Sequence, residues 1–170
     1  DTIMDAALNP LGGPFAGNSF YTVNKTLQYQ SINTNDGWTL ESTATSNRGG
    51  SFNATTTTFN LGDDASRKQY RAILHFNTAS LPDTAVITSV TLKIKKATGS
   101  KGNTSTLGAL LADMKKPSFG TAVLAKTDFE AAAGKSSIFD LFKIASGWYS
   151  ATMKSTGFTY VNRTGTTQFR

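Results

Sequence analysis

Residues 69–77 read Gln69-Tyr70-Arg71-Ala72-Ile73-Leu74-His75-Phe76-Asn77. In an extended chain Tyr70, Ala72, Leu74 and Phe76 fall on one face. Arg71, Ile73 and His75 fall on the other. Alternation of this kind marks a strand. Upstream, Gly62-Asp63-Asp64 is a turn signal that closes a β-branched run from Thr55 to Leu61. Downstream, Ser80-Leu81-Pro82-Asp83 breaks the chain, and Val86 to Lys95 reads as the next strand. There Val90, Leu92 and Ile94 point inward, and Thr91, Lys93 and Lys95 outward.

Further from the centre the pattern repeats. Trp38 and Leu40 alternate with Thr39 and Glu41, and Thr106 to Met114 carries Leu107, Ala109 and Leu111 at period two. Gly147 to Met153, Phe158 to Val161 and Thr166 to Arg170 read as further strands, whereas Ser136 to Ile144 fits either type. Lys96 to Asn103 is a polar loop. One helix is expected at Thr127 to Gly134, with Thr127 or Asp128 as cap, three alanines, and Gly134 as stop. Many short strands divided by turns specify an all-β sandwich or barrel. The expected chain is one β domain over residues 31–170, with one or two short helices and an extended arm at 1–30. The arm holds turn signals among the apolar residues Ile3, Leu8, Leu11, Phe15 and Phe20.

Composition agrees with strands. Charged residues are 16% of the chain against about 25% in an average domain, and Ser and Thr make up about a quarter. Thr is β-branched and suits pleated, hydroxyl-covered faces. There is no Cys and one His, His75. With no Cys and no second His, no thiolate or multi-histidine zinc site is available within one chain, and His75, in mid-strand, reads as a structural or surface residue. The net charge of +6 is spread out, without the dense Arg/Lys and stacking aromatics of a nucleic-acid binder. No apolar run is long enough to span a membrane. The chain starts at Asp1, which reads as export with a cleaved signal peptide to the cell surface or beyond.

The segments Leu61-Gly62-Asp63-Asp64, Gln69 to Asn77, Ser80-Leu81-Pro82 and Val86-Ile87-Thr88-Ser89-Val90-Thr91-Leu92 resemble the DNRLRE, or disaggregatase-related, domains of prokaryotic surface proteins. The pieces Phe119-Gly120, Thr127-Asp128-Phe129, Gly147 to Thr152 and Asn162 to Arg170 are similar to that group too, so the resemblance spans Gly37 to Arg170. It implies an antiparallel, jelly-roll-like β-sandwich. It also implies kinship with carbohydrate-binding modules and with large surface proteins. In that group the stretch at Gln168-Phe169-Arg170 continues, so the sandwich is expected to lack its last strand. Either the chain is trimmed, or a second copy supplies a strand.

Three sets of candidate residues follow. Trp38, Trp148 and Tyr149 suit stacking on a pyranose face. Each stands in a strand pattern where aromatics ordinarily fill the core, Trp148 more so than Trp38. Trp38 and Tyr149, with Lys93 and Lys95 for acidic groups, are therefore the candidate contacts. Asp63 and Asp64 read as a solvated turn or as ligands of a structural Ca²⁺. Ile3, Leu8, Leu11, Phe15 and Phe20 would dock the arm on a neighbour. Asn24, Asn53, Asn103 and Asn162 stand in Asn-x-Ser/Thr sequences. No acid–base pair stands out for catalysis. The expected function is therefore that of a non-enzymatic extracellular structural subunit, which pairs with itself by arm or strand exchange. The alternative is a carbohydrate-binding module for acidic polysaccharide.

Overall fold

A computed structural model describes residues 24–100 and 108–170. The arm residues Ile3, Leu8, Leu11, Phe15 and Phe20, together with Asn103 and Leu107, lie outside this range. The described strands are β1 Gly37–Glu41, β2 Gly49–Asn53, β3 Gly62–Asp63, β4 Gln69–Asn77, β5 Thr91–Lys95, β6 Met114–Lys115, β7 Lys143–Ala145, β8 Trp148–Thr152 and β9 Thr166–Phe169. They form two sheets. The larger runs β2-β1-β4-β9-β6, with β3 also on β4, and the smaller runs β5-β8-β7. Every pairing between these strands is antiparallel. The chain is all-β, a sandwich of two sheets, as its alternation requires.

β4 is the hub. Gly37 to Leu40 of β1 pair with Ile73 to Tyr70, and Thr166 to Phe169 of β9 pair with Asn77 to Leu74. Its centre is buried on both faces: Ala72, Ile73, Leu74 and His75 are all inaccessible. Leu74 points towards the smaller sheet and shares a core with Leu92, Ala112, Met114, Ile138, Phe139, Ala151, Met153 and Phe169. Ile73 points the other way, into a second core with Phe119 and Leu124, bordered by Ala54, Ala131 and Ala133. A loop layer at residues 117–133 therefore covers the face where the alternation placed Arg71, Ile73 and His75.

Two arginines fix that layer to the sheet. The Arg71 guanidinium lies 3.9 Å over the Phe129 ring and donates to the Phe129 carbonyl at 2.6 Å. Arg170 lies 4.4 Å over the Phe119 ring and donates to the carbonyls of Asp128, Phe129 and Ala131. It also pairs with Asp113 at 3.0 Å. β9 runs between β4 and β6, and the backbone N–H and C=O of Arg170 both bond to Asp113. Phe169 is thus paired on both flanks, to Leu74 and to Met114, and Arg170 on one, to Asp113.

Several expected elements differ. The helix at Thr127 to Gly134 is a single 3₁₀ turn, Lys126–Phe129. One turn of helix is costly to nucleate alone. Here the turn is held instead by the buried Phe129 ring and by Asp128, whose carboxylate accepts the Ala125 N–H at 2.9 Å. Of the alanines that follow, Ala131 and Ala133 lie beside the second core and Ala132 is exposed, none of them in a helix. Phe158 to Val161 is mostly part of a 3₁₀ turn, Ser155–Tyr160, in place of a strand. Thr55 to Leu61 forms no strand, and Thr55 to Thr58 are exposed. β-Branched residues favour strands only where a partner edge is offered. The strand expected from Val86 begins only at Thr91, and Val86 is 84% exposed.

His75 is buried and hydrogen-bonded on β4. It is 4% exposed, between Gln168 of β9 and the backbone N–H of Ile32, which its carbonyl accepts. Gln168 Oε1 accepts the Phe119 N–H, so its amide nitrogen faces His75 Nδ1 at 3.0 Å. That arrangement leaves the imidazole proton on Nε2, which donates to Thr166 Oγ1 at 3.2 Å. Burial pushes the imidazole below its ordinary value, opposed by the charge of Asp36, whose carboxylate accepts the His75 N–H. A histidine depressed in the folded state contributes stability above its unfolded pKa of about 6.5, and loses it as pH falls through the folded value. Melting temperature should therefore drop from pH 7.5 to pH 5, with a shallower drop in His75→Asn. Equal slopes in the two proteins would remove His75 as the cause.

Candidate functional site: the outer face of the smaller sheet

The smaller sheet separates apolar from polar residues by strand parity. β7 and β8 are joined by Ser146 and Gly147, both with positive φ, 50° and 76°. Two such residues make the tight turn whose twist matches a hairpin, and glycine takes that conformation without strain. The register then follows. Leu92 opposes Ala151, and Ile94 opposes Tyr149, which opposes Ile144. These residues share the inner face by parity, with Ile144 at the sheet edge still 55% exposed. On the outer face Lys93 opposes Ser150, which opposes Lys143, and Lys95 opposes Trp148, which opposes Ala145. Thr91 opposes Thr152 in the next row.

Ser150 is thus flanked by lysines on both neighbouring strands. With strands about 4.8 Å apart, Lys93 and Lys143 start about 10 Å from each other across the serine. Trp148 is 41% exposed, and the Lys95 ammonium stands 4.9 Å from the centre of its ring. Beside this row lies a polar depression of about 150 Å³, lined by Thr91, Asp140, Leu141, Lys143, Ser150 and Thr152. Flat hydroxyl rows, three cations and one accessible indole give a surface for stacking on a ring and for holding anionic groups.

The sequence-predicted residues divide. Lys93 and Lys95 belong to this face, both exposed. Tyr149 does not, because period two turns it towards the inner face, where it is half-buried. Trp38 belongs to β1 of the larger sheet and makes an edge-on contact with Tyr70, ring centres 5.1 Å apart. The structure brings neither aromatic together with the lysines. Trp148, expected in the core, is the aromatic that joins them. The signal was present in the chain: Ala151 and Met153 are apolar positions that fix the inward parity of β8, and Trp148 has the opposite parity.

The Asp64 carboxylate accepts N–H groups from Ser66 and Lys68 and lies 3.5 Å from the Lys68 ammonium. The Lys68 N–H above all holds it below the ordinary carboxylate range. Asp63 is exposed in β3. Among the described residues no three Asp, Glu, His or Cys side chains converge on one point.

Other acids are likewise committed to the backbone. Glu41 accepts N–H groups from Asn47 and Gln69, and the Asn47 bond leads in lowering its pKa. Burial raises Asp128, whose Oδ1 has no hydrogen-bond partner and faces Gly120. Asn162 donates its amide to the Thr166 carbonyl, whereas the Asn53 amide oxygen receives Thr55. No helix of the described residues is long and apolar enough to cross a membrane. No protein-family model, curated protein or solved structure matches the chain.

Proposed function

We propose that this protein is a non-enzymatic, extracellular, jelly-roll-like module of the DNRLRE type that binds acidic polysaccharide on the outer face of its smaller sheet. The observation that carries the reading is the exposed Trp148 ring beside Lys95, in line with the Lys93-Ser150-Lys143 row. An indole offers its face to the C–H side of a pyranose, and lysines at two-residue and two-strand spacing meet successive acidic groups. Trp148→Ala should weaken binding to polygalacturonate or hyaluronate at least tenfold by calorimetry, because exposed aromatic anchors dominate such surfaces. Lys93→Ala and Lys143→Ala should each weaken it several-fold at low salt and less at high salt. Retention of full affinity in the Trp148 variant would overturn the reading.

Assembly with a second copy is the other reading. It is supported by the edge strand β2, Gly49-Gly50-Ser51-Phe52-Asn53, which carries no charged residue and has Phe52 47% exposed. The edge strands β5 and β7 carry lysines, a usual guard against pairing. A chain that binds no polysaccharide in the assay above, yet sediments as a polymer, would exchange the two readings.

A further inference from the structure

Resting on the glycan-binding reading, we propose that the depression at Asp140 is a subsite for an uncharged sugar ring, so that the face selects chains in which neutral and acidic residues adjoin. Unlike the rest of the face, the depression contains a carboxylate. Asp140 and Lys143 both line it, and among the described residues neither is engaged in an ion pair. Together they present an acceptor and a donor. A vicinal diol needs that combination, since one hydroxyl donates to the carboxylate while its neighbour accepts from the ammonium. The hydroxyls of Thr91, Ser150 and Thr152 add further partners. Leu141, 67% exposed, supplies an apolar wall for ring C–H groups.

The same carboxylate opposes a uronate in that position. Two like charges about 4 Å apart in water disfavour each other by about fivefold in affinity. One strand over, Lys93 faces Lys143 across Ser150, and Lys95 stands on Trp148. Acidic residues are favoured there. The face is thus divided into a cationic row and a mixed depression that share Lys143 and Ser150. A ligand that satisfies both has an acidic residue next to a neutral one.

Calorimetric titration with hyaluronate, in which acidic and neutral residues alternate, and with polygalacturonate, in which every residue is acidic, tests this. Per acidic residue the protein should bind hyaluronate about fivefold more tightly. Asp140→Asn keeps the hydrogen-bonding shape and removes the charge, so it should strengthen polygalacturonate binding about fivefold and erase the preference. Equal affinities in the unmodified protein, unchanged in Asp140→Asn but lowered in Lys93→Ala, would overturn the subsite and leave the binding face standing. No binding of either polymer would overturn the binding face itself.

Discussion

Arg170→Ala should destabilise the fold by about 3–5 kcal/mol, the range for removing one partner of a buried, hydrogen-bonded charge. The guanidinium is nearly inaccessible, with 7% of the side chain exposed, and it donates to three backbone carbonyls as well as to Asp113. Alanine leaves the carbonyls of Asp128, Phe129 and Ala131 facing a void, and each unsatisfied buried acceptor costs about 1–3 kcal/mol. Phe129 O keeps one donor, Arg71. Asp128 loses a positive neighbour in a site where burial already raises its pKa. Urea denaturation reads the loss as a lower midpoint. A midpoint within experimental error of the parent would show that the loop layer does not depend on this anchor.

Phe119→Ala should cost a similar amount, about 3–5 kcal/mol, by a different route. The ring is fully buried against Ile73 and Leu124 and forms the floor under Arg170. Its removal opens a cavity in the smaller of the two cores, where few neighbours can move in to fill it. Its backbone N–H should keep its bond to Gln168, so the His75 arrangement should survive. Because Phe119 and Arg170 touch, the double variant should lose less than the sum of the two. Strict additivity in a double-mutant cycle would show that the cation–π contact contributes nothing.

The chain declared one half of this architecture more openly than the other. Gln69 to Asn77 alternates cleanly, and so do Leu92 and Ile94 against Lys93 and Lys95; the structure follows both. The burial of β4 on its second face was harder to read, because the residues that cover it come from a loop without periodicity. Ile73 was the one hint, a large aliphatic side chain between Arg71 and His75. The alanines after Phe129 misled in the opposite sense, since helix propensity over so short a stretch is weaker than the anchoring of one buried ring. At the candidate site, Lys93 and Lys95 were legible from parity. Trp148 and Tyr149 are adjacent aromatics, and only the inward Ala151 and Met153 decide between them. The depression at Asp140 depends on how the segment before β7 docks beside the end of β8, where the Asp140 N–H meets the Thr152 carbonyl, and no alternation expresses that.

The separation of the two faces of the β5-β8-β7 sheet has a consequence for how such a domain diversifies. Thr91, Lys93, Lys95, Lys143, Ala145, Trp148, Ser150 and Thr152 share the outward side, while Leu92 and Ala151 hold the core from the other. Substitutions at the outward positions change the chemistry offered to a partner and leave the buried contacts intact. The sheet is in effect a small printed surface on a fixed backing, and a library varied only at those positions would explore ligand preference at nearly constant stability.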